Sequence, residues 1–93
     1  MISVLIERNI AQDMANTYEE MAKNTLHKAY EASGFINGET FTDINNPLRR
    51  FVLSKWRSVQ DWHNWIHSDG RRGMMDKINL ILAEPEKICI LEN

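Results

Sequence analysis

Basic residues are not in excess in this chain: 11 lysines and arginines stand against 13 aspartates and glutamates, a formal charge of −2. Such a balance lacks the positive footprint by which nucleic acid or an anionic membrane surface is held. Cysteine is almost absent. The single Cys89 cannot form an internal disulfide, and a cytoplasmic protein is the simplest expectation. No apolar run reaches the ~18 residues of a membrane span. Met1-Ile2-Ser3-Val4 runs directly into strand-like sequence without the basic start of a signal peptide. A Gly-rich phosphate loop, a Gly-x-Ser-x-Gly elbow and a paired-carboxylate constellation are also missing. The expectation is therefore no cofactor, no metal, no nucleic acid and no membrane.

What is there is an ordinary globular composition, 43% hydrophobic and 26% charged, in 93 residues. Residues 1–93 read as a single domain. A chain this short buries only about 60–65% of its unfolded surface, so a second subunit would help complete the core. Ile2 to Glu7 is β-branched and aliphatic and reads as a first strand. From Asp13 to Ala32, a turn of about 100° per residue gathers Met14, Ala15, Tyr18, Met21, Ala22, Thr25, Ala29 and Ala32 on one side, which predicts an amphipathic helix. Gly34 stands where a left-handed cap residue would end it.

Phe35 to Ile44 and Arg49 to Trp56 read as two strands joined by a hairpin loop at Asn45-Asn46-Pro47. Ser58 with Asp61 makes an acidic capping box for a helix whose inner face is Val59, Trp62 and Ile66. Ser68-Asp69-Gly70 interrupts it. A last helix from Arg71 carries Met74, Met75, Ile78, Ile81 and Leu82 and stops at Pro85, before a final strand over residues 87–92. The order β-α-β-β-α-β predicts an α+β, ferredoxin-like fold: a four-stranded antiparallel sheet with helices on one face. Both alternating sets of the middle strands are apolar, Phe35 and Phe41 against Ile36 and Ile44, then Val52 and Trp56 against Phe51 and Leu53. A sheet with one wet face alternates more cleanly. The second face is expected to be covered by a partner subunit, giving a homodimer.

Three tryptophans fall within Trp56-Arg57-Ser58-Val59-Gln60-Asp61-Trp62-His63-Asn64-Trp65, followed by Ser68 and Arg72. With Val4-Leu5-Ile6-Glu7-Arg8, the stretch Ser33 to Thr40, and Ile78…Leu82-Ala83-Glu84-Pro85-Glu86-Lys87-Ile88, they resemble, in order and spacing, the antibiotic biosynthesis monooxygenase family of dimeric α/β barrels. The resemblance covers nearly the whole chain. It implies a homodimer and a range of activities: cofactor-free oxygenases of polycyclic phenols or quinols, haem-degrading enzymes, and members without assigned chemistry. In the oxygenases an electron-rich substrate is thought to reduce O₂ itself, while the protein desolvates it, orients it and offers donors to a developing enolate or phenolate.

The haem-degrading relatives combine a tryptophan at position 65 with an asparagine ending the first strand and a histidine ligand ten residues after the tryptophan. Here those two places fall on Glu7 and Met75. Met75 belongs to the apolar stripe with Met74 and Ile78, so haem degradation is disfavoured. Trp62 and Trp56 read as core. Trp65 lies off the Val59–Ile66 direction and either lines a cleft or meets a partner. Tyr18 occupies the middle of the buried stripe, where its hydroxyl needs a partner, and Ala15, Ala22 and Ala29 beside it either pack closely or leave a cavity. Arg8, Arg71 and Arg72 read as solvated charges near element ends, with one of them as a candidate for an enolate or acidic substrate. Glu7, Tyr18, Trp65, Met75 and Arg71 are the candidate pocket-lining residues. His63 and His67, four apart, lack the glutamate of a zinc-protease helix and any third ligand, and His27 is on the polar face.

Three functions compete at this point. The first is a cofactor-independent monooxygenase-like protein for a small aromatic or quinol substrate, in a cleft between sheet and helices. The second is a non-catalytic, ligand-binding or structural homodimer of the same fold. The third, an RNA-binding domain suggested by strand order and Arg50-Phe51-Val52, lacks the motif's glycine and flanking aromatics and is acidic.

Overall fold

A computed structural model describes all 93 residues. Strand β1 (Ile2–Asn9) leads to helix α1 (Ala15–Ala29), then the hairpin of β2 (Phe35–Asp43) and β3 (Asn46–Trp56). Helices α2 (Val59–Ile66) and α3 (Asp69–Ile78), a 3-10 turn (Asn79–Ile81) and β4 (Lys87–Glu92) complete the chain. The four strands form one antiparallel sheet in the order β2-β3-β1-β4, with the helices on one face, as the element order predicts. No helix is long and apolar enough to cross a membrane.

Strict alternation in β1 sets the layers. Ile2, Val4, Ile6, Arg8 and Ile10 are all buried beneath the helices, while Ser3, Leu5, Glu7 and Asn9 face the other way. Ile2, Val4, Ile6, Trp56 and Trp62 form one core cluster. Ile10, Tyr18, Met75, Ile78 and Ile81 form a second at the other end of α1. Trp56 packs edge-on against Trp62, ring centroids 5.6 Å apart, and lies nearly parallel to Trp65 at 6.2 Å. Truncating either buried indole would cost about 3–5 kcal/mol.

Local signals account for most boundaries. The Ser58 hydroxyl accepts the Asp61 N–H at 3.1 Å, so the capping box starts α2 where the sequence places it. Ser68 does the same for α3 by accepting the Arg71 N–H at 3.3 Å. Consequently α3 begins at Asp69, two residues before the expected start at Arg71: Gly70 sits in the first helical turn instead of breaking the chain. Gly34 adopts φ +83°, the left-handed conformation expected of it. Asp13 lies at φ 67° just before α1, whose regular part is shorter at both ends than the stretch from Asp13 to Ala32.

The hairpin differs from expectation in two ways. Its turn is Ile44-Asn45, not Asn45-Asn46-Pro47, because the Asp43 carboxylate accepts the Asn45 N–H at 2.8 Å and fixes the bend earlier. Asn46 and Pro47 then belong to β3, at its start, where a missing donor is tolerated. An irregularity between Phe35 and Asn37 also shifts the phase of β2. Phe35 pairs with Trp56 on the helix side, whereas Phe41 pairs with Phe51 on the far side, so the two do not share a face as their spacing predicts.

That far side carries Leu5, Phe41, Phe51, Leu53, Cys89 and Leu91, none of them buried. Only 15 of the 93 residues are buried, which leaves this face without cover from its own chain.

Candidate functional site

Where β1's inner stripe passes between the two core clusters, position 8 is arginine rather than an aliphatic residue. Arg8 is 3% exposed. Its Nε donates to Glu86 Oε2 at 2.9 Å, and its Nη1 donates to the Tyr18 hydroxyl at 3.1 Å. Its Nη2 lies 3.7 Å from Met75 Sδ. Arg71, in the first turn of α3, is also buried, and its Nη2 donates to Glu86 Oε1 at 2.7 Å. One carboxylate thus binds two guanidiniums, using one oxygen for each. Helical structure ends at Ile81, ahead of Pro85 where the sequence places the stop, and Glu86 lies in the irregular stretch before β4.

The electrostatics follow from burial. Desolvation alone would push the Glu86 carboxyl up, but the charge of Arg8 and the hydrogen bond and charge of Arg71 outweigh it and hold the group below its ordinary value of 4.5. Burial likewise works against the Arg8 charge, and contact with Tyr18 and Glu86 reverses the effect, so the guanidinium stays protonated. Arg50 adds a further charge nearby, 5.9 Å from the Tyr18 ring, and is paired at 3.1 Å with the exposed Glu19.

Beside this network a cleft runs between α1 and the sheet. Ala22, Thr25, Leu26 and Ala29 form its roof, Ile6, Arg8, Val52, Ser54 and Trp56 its floor, and Phe35, Thr40, Trp62, Trp65 and Arg71 its sides. The recurring small side chains of α1 therefore do leave space. The cleft has a volume of about 40 Å³, or about 440 Å³ counting its open mouth. Ligand cavities are larger, roughly 300–1,000 Å³. The cleft holds a few waters as it stands.

The lining residues include no carboxylate, histidine, cysteine, lysine or tyrosine. The polar side-chain groups are two guanidiniums, three hydroxyls and three indole N–H groups. Of the hydroxyls, Thr25 donates to the Met21 carbonyl at 2.9 Å and Ser54 accepts the Trp56 indole N–H at 2.9 Å. Such a cleft offers hydrogen-bond donors and desolvation, with no general base in its lining to activate the hydroxyls. No cluster of three or more His, Cys, Asp or Glu residues that could hold a metal is present. His63 and His67, rings 6.5 Å apart, are both exposed.

Of the five pocket candidates, Trp65 and Arg71 line the cleft. Tyr18 and Met75 stand behind it and contact Arg8; Tyr18 itself borders a wider surface groove between α1 and the hairpin. Glu7 is a correction. The odd phase of β1 points it to the far face, where it accepts from Arg49 at 3.0 Å and from Asn9 at 3.3 Å. Those bonds, that of Arg49 foremost, lower its carboxyl pKa. Reading Arg8 and Arg71 as solvated charges also fails, since both are buried; Arg72 alone of the three is exposed. Glu86 was missed altogether. For Arg8 the signal existed in its even position among Ile2, Val4, Ile6 and Ile10, whereas a lone glutamate after proline carries none.

Residues 1–77 match the sequence model of the family described as antibiotic biosynthesis monooxygenase. No curated protein sequence matches this one. Among solved structures, a conserved protein from Methanosarcina mazei Go1 superposes with a TM-score of 0.92 at 16% identity, over 99% of this chain and 91% of that one. An antibiotic biosynthesis monooxygenase gives 0.91 at 11% identity, over 100% of this chain and 98% of the other. SnoaB, a cofactor-independent oxygenase from Streptomyces nogalater, gives 0.87 at 8% identity, over 99% and 92%. Identities this low establish a common fold and say nothing of a common substrate.

Proposed function

The chain belongs to the antibiotic biosynthesis monooxygenase family, and from that membership we propose that it is a cofactor-independent monooxygenase acting on a small aromatic or quinol substrate between α1 and the sheet. The observation that carries the reading is the joining of Trp65 and Arg71 in one cleft: an indole to lie against a ring, and a buried cation beside it. The residues present suit a reaction in which the substrate supplies every electron. A quinol that takes one oxygen atom of O₂ becomes a hydroxyquinone, and the other oxygen leaves as water with the two hydrogens the ring has lost. The protein's part is to exclude water, fix the ring and stabilise negative charge as it develops on the ring oxygen. An arginine held by a buried carboxylate is already oriented, so it need not reorganise when that charge appears.

The test is oxygen uptake by the purified protein with a panel of single-ring and two-ring quinols. Uptake above the spontaneous rate, lost in Trp65→Ala and Arg71→Gln, supports the reading; uptake equal to buffer across the panel defeats it. One observation favours a second reading, a homodimer of this fold without chemistry: the roughly 40 Å³ interior is smaller than a single aromatic ring needs. For the enzyme, α1 must move away from the sheet on binding, and the small single-ring compounds are the substrates expected to demand least of it.

Assembly into a homodimer through the far sheet face belongs to the same proposal. Leu5, Phe41, Phe51, Leu53 and Leu91 lie on it, with Phe41 47% and Leu91 43% exposed. The accessible surface of 6012 Å² also exceeds the about 5,600 Å² expected of a self-contained monomer of this mass. A second copy offering the same apolar face is the simplest cover.

A further inference from the structure

We propose that the groove between α1 and the β2–β3 hairpin is a binding site in its own right, taking an uncharged sugar ring. The inference stands apart from any chemistry in the cleft. With a volume of about 540 Å³, the groove falls within the range of ligand sites, whereas the cleft is too small as it stands.

The groove follows from the composition of β2. On the helix side this edge strand presents Gly38, Thr40 and Thr42, paired with Ser54, Val52 and Arg50 of β3. At Gly38 the helix comes close, since a Cβ there would meet Leu26 at 2.9 Å. Beyond it Thr40 and Thr42 are exposed, so α1 and the strand part and leave a space closed at the Gly38 end. Valine at these two positions would have the same shape without the hydroxyl. The floor is therefore polar where a helix-covered strand would be apolar.

Three features of the lining specify the ligand. Its charges cancel, Glu19 and Glu20 against Lys23 and Arg50, so a ligand of either sign meets a like charge. Its polar groups mix donors with acceptors: Asn16, Thr40 and Thr42 each offer both. Arg50 spends Nε on the Pro47 carbonyl at 2.7 Å and Nη1 on Glu19 at 3.1 Å, which fixes the guanidinium and leaves Nη2 over. No enclosed polar atom in the protein lacks a partner, so this nitrogen borders the open groove. The third feature is an apolar stripe on successive turns of α1, Tyr18, Ala22 and Leu26. A pyranose matches all three. It is neutral, its hydroxyls donate and accept at one atom, and its C–H face lies flat against the stripe. The groove shares Ala22, Leu26 and Thr40 with the cleft, so the sugar can come alone or as the glycoside of a ring seated there.

The experiment titrates methyl and phenyl β-glucopyranosides, with their galacto and manno epimers, into the isotope-labelled full chain and follows amide chemical shifts by NMR. At least one methyl pyranoside should give saturable shifts at Thr40, Thr42, Arg50 and Glu20, with a Kd of about 1 mM, the affinity a ligand of this size ordinarily reaches. Glucuronate and glucosamine, the charged analogues, should bind no tighter. Thr42→Val, at an exposed position that keeps its shape, should weaken binding about fivefold, the worth of one hydrogen bond. The wild-type titration stands without the variant if it fails to fold. A phenyl pyranoside that binds about tenfold tighter and also shifts Trp65 makes a glycoside the source of the sugar; one that binds no tighter makes it the free sugar. Both results uphold the site. It is overturned by the absence of saturable shifts with every pyranoside to about ten times the expected Kd, or by shifts confined to residues outside the groove. Tighter binding of either charged analogue, or unchanged binding by Thr42→Val, also overturns it. Each of those failures leaves the reading of the cleft standing, since oxygen uptake tests that separately.

Discussion

Replacing Glu86 with glutamine keeps the shape of the side chain and removes the one charge that Arg8 and Arg71 share. The side chains concerned are 12%, 3% and 8% exposed, so water cannot substitute for the lost partner. Two charge-assisted bonds, at 2.9 and 2.7 Å, are weakened together. At about 1.5–3 kcal/mol each they set an upper range near 3–6 kcal/mol. Breaking a buried ion pair from one side costs about 3–5 kcal/mol, and that overlap is the expected loss. A domain of this length has about 5–14 kcal/mol to lose, so the variant should remain folded but close to its limit. Equilibrium urea unfolding at fixed protein concentration measures it: the midpoint should fall with the slope unchanged. Glu84→Gln is the control, since the Glu84–Lys87 pair at 3.4 Å is half-exposed on both sides and is worth at most about 1 kcal/mol. If Glu86→Gln costs no more than Glu84→Gln, the buried network does not hold the fold and the reasoning fails.

The same carboxyl sets an acid limit. Its folded pKa lies below the ordinary 4.5, so its contribution is full above that value and is lost as pH falls through the lowered one. The stability gap between wild type and Glu86→Gln should accordingly close below about pH 4.5, as thermal melts at successive pH values would show; a gap that persists into strong acid contradicts it. Gly34→Ala should destabilise by more than about 2 kcal/mol, because φ +83° already costs a side chain about 1–2 kcal/mol and a Cβ there overlaps Asp61; a melt within 1 °C of wild type would refute this. Leu53→Glu combined with Phe41→Glu, on the far sheet face, should convert a dimer to monomers in sedimentation velocity, and a wild type that already sediments as a monomer removes the basis for the prediction. Trp65→Ala should weaken binding of single-ring ligands about tenfold or more by calorimetry, with little loss of stability compared with Trp62→Ala, whose indole is only 2% exposed; equal behaviour of the two variants would make Trp65 a core residue.

Much of the architecture was legible from local pattern. The aliphatic alternation in β1, the apolar stripe of α1, the Ser58–Asp61 box and Gly34 each act within a few residues, where sequence spacing and spatial spacing coincide. Misreadings came where a side chain overrode the general rule. Asp43 drew the hairpin turn forward, Ser68 captured Gly70 into α3, and the irregularity at Ile36 moved Phe41 to the opposite face from Phe35. The candidate site was half legible. Tyr18 and Trp65 stood out because an aromatic off or within an apolar stripe is visible from helix spacing. Glu7 lies on the far face because the alternation of its own strand, and not the family's use of that position, decides where it points.

The sequence by itself determined the order of elements, the inner faces of the long helix and of β1, and the apolar character of both sheet faces, since these depend on periodicity along the chain. Only the tertiary structure decided that Arg8, Arg71 and Glu86 are one buried unit and that it stands beside Trp65. Those residues are separated by up to 78 positions, and no local spacing encodes a contact between strand, helix and loop. Their charge makes burial costly until they meet, so what reads as three solvated side chains becomes a site once folding brings their opposite charges together away from water.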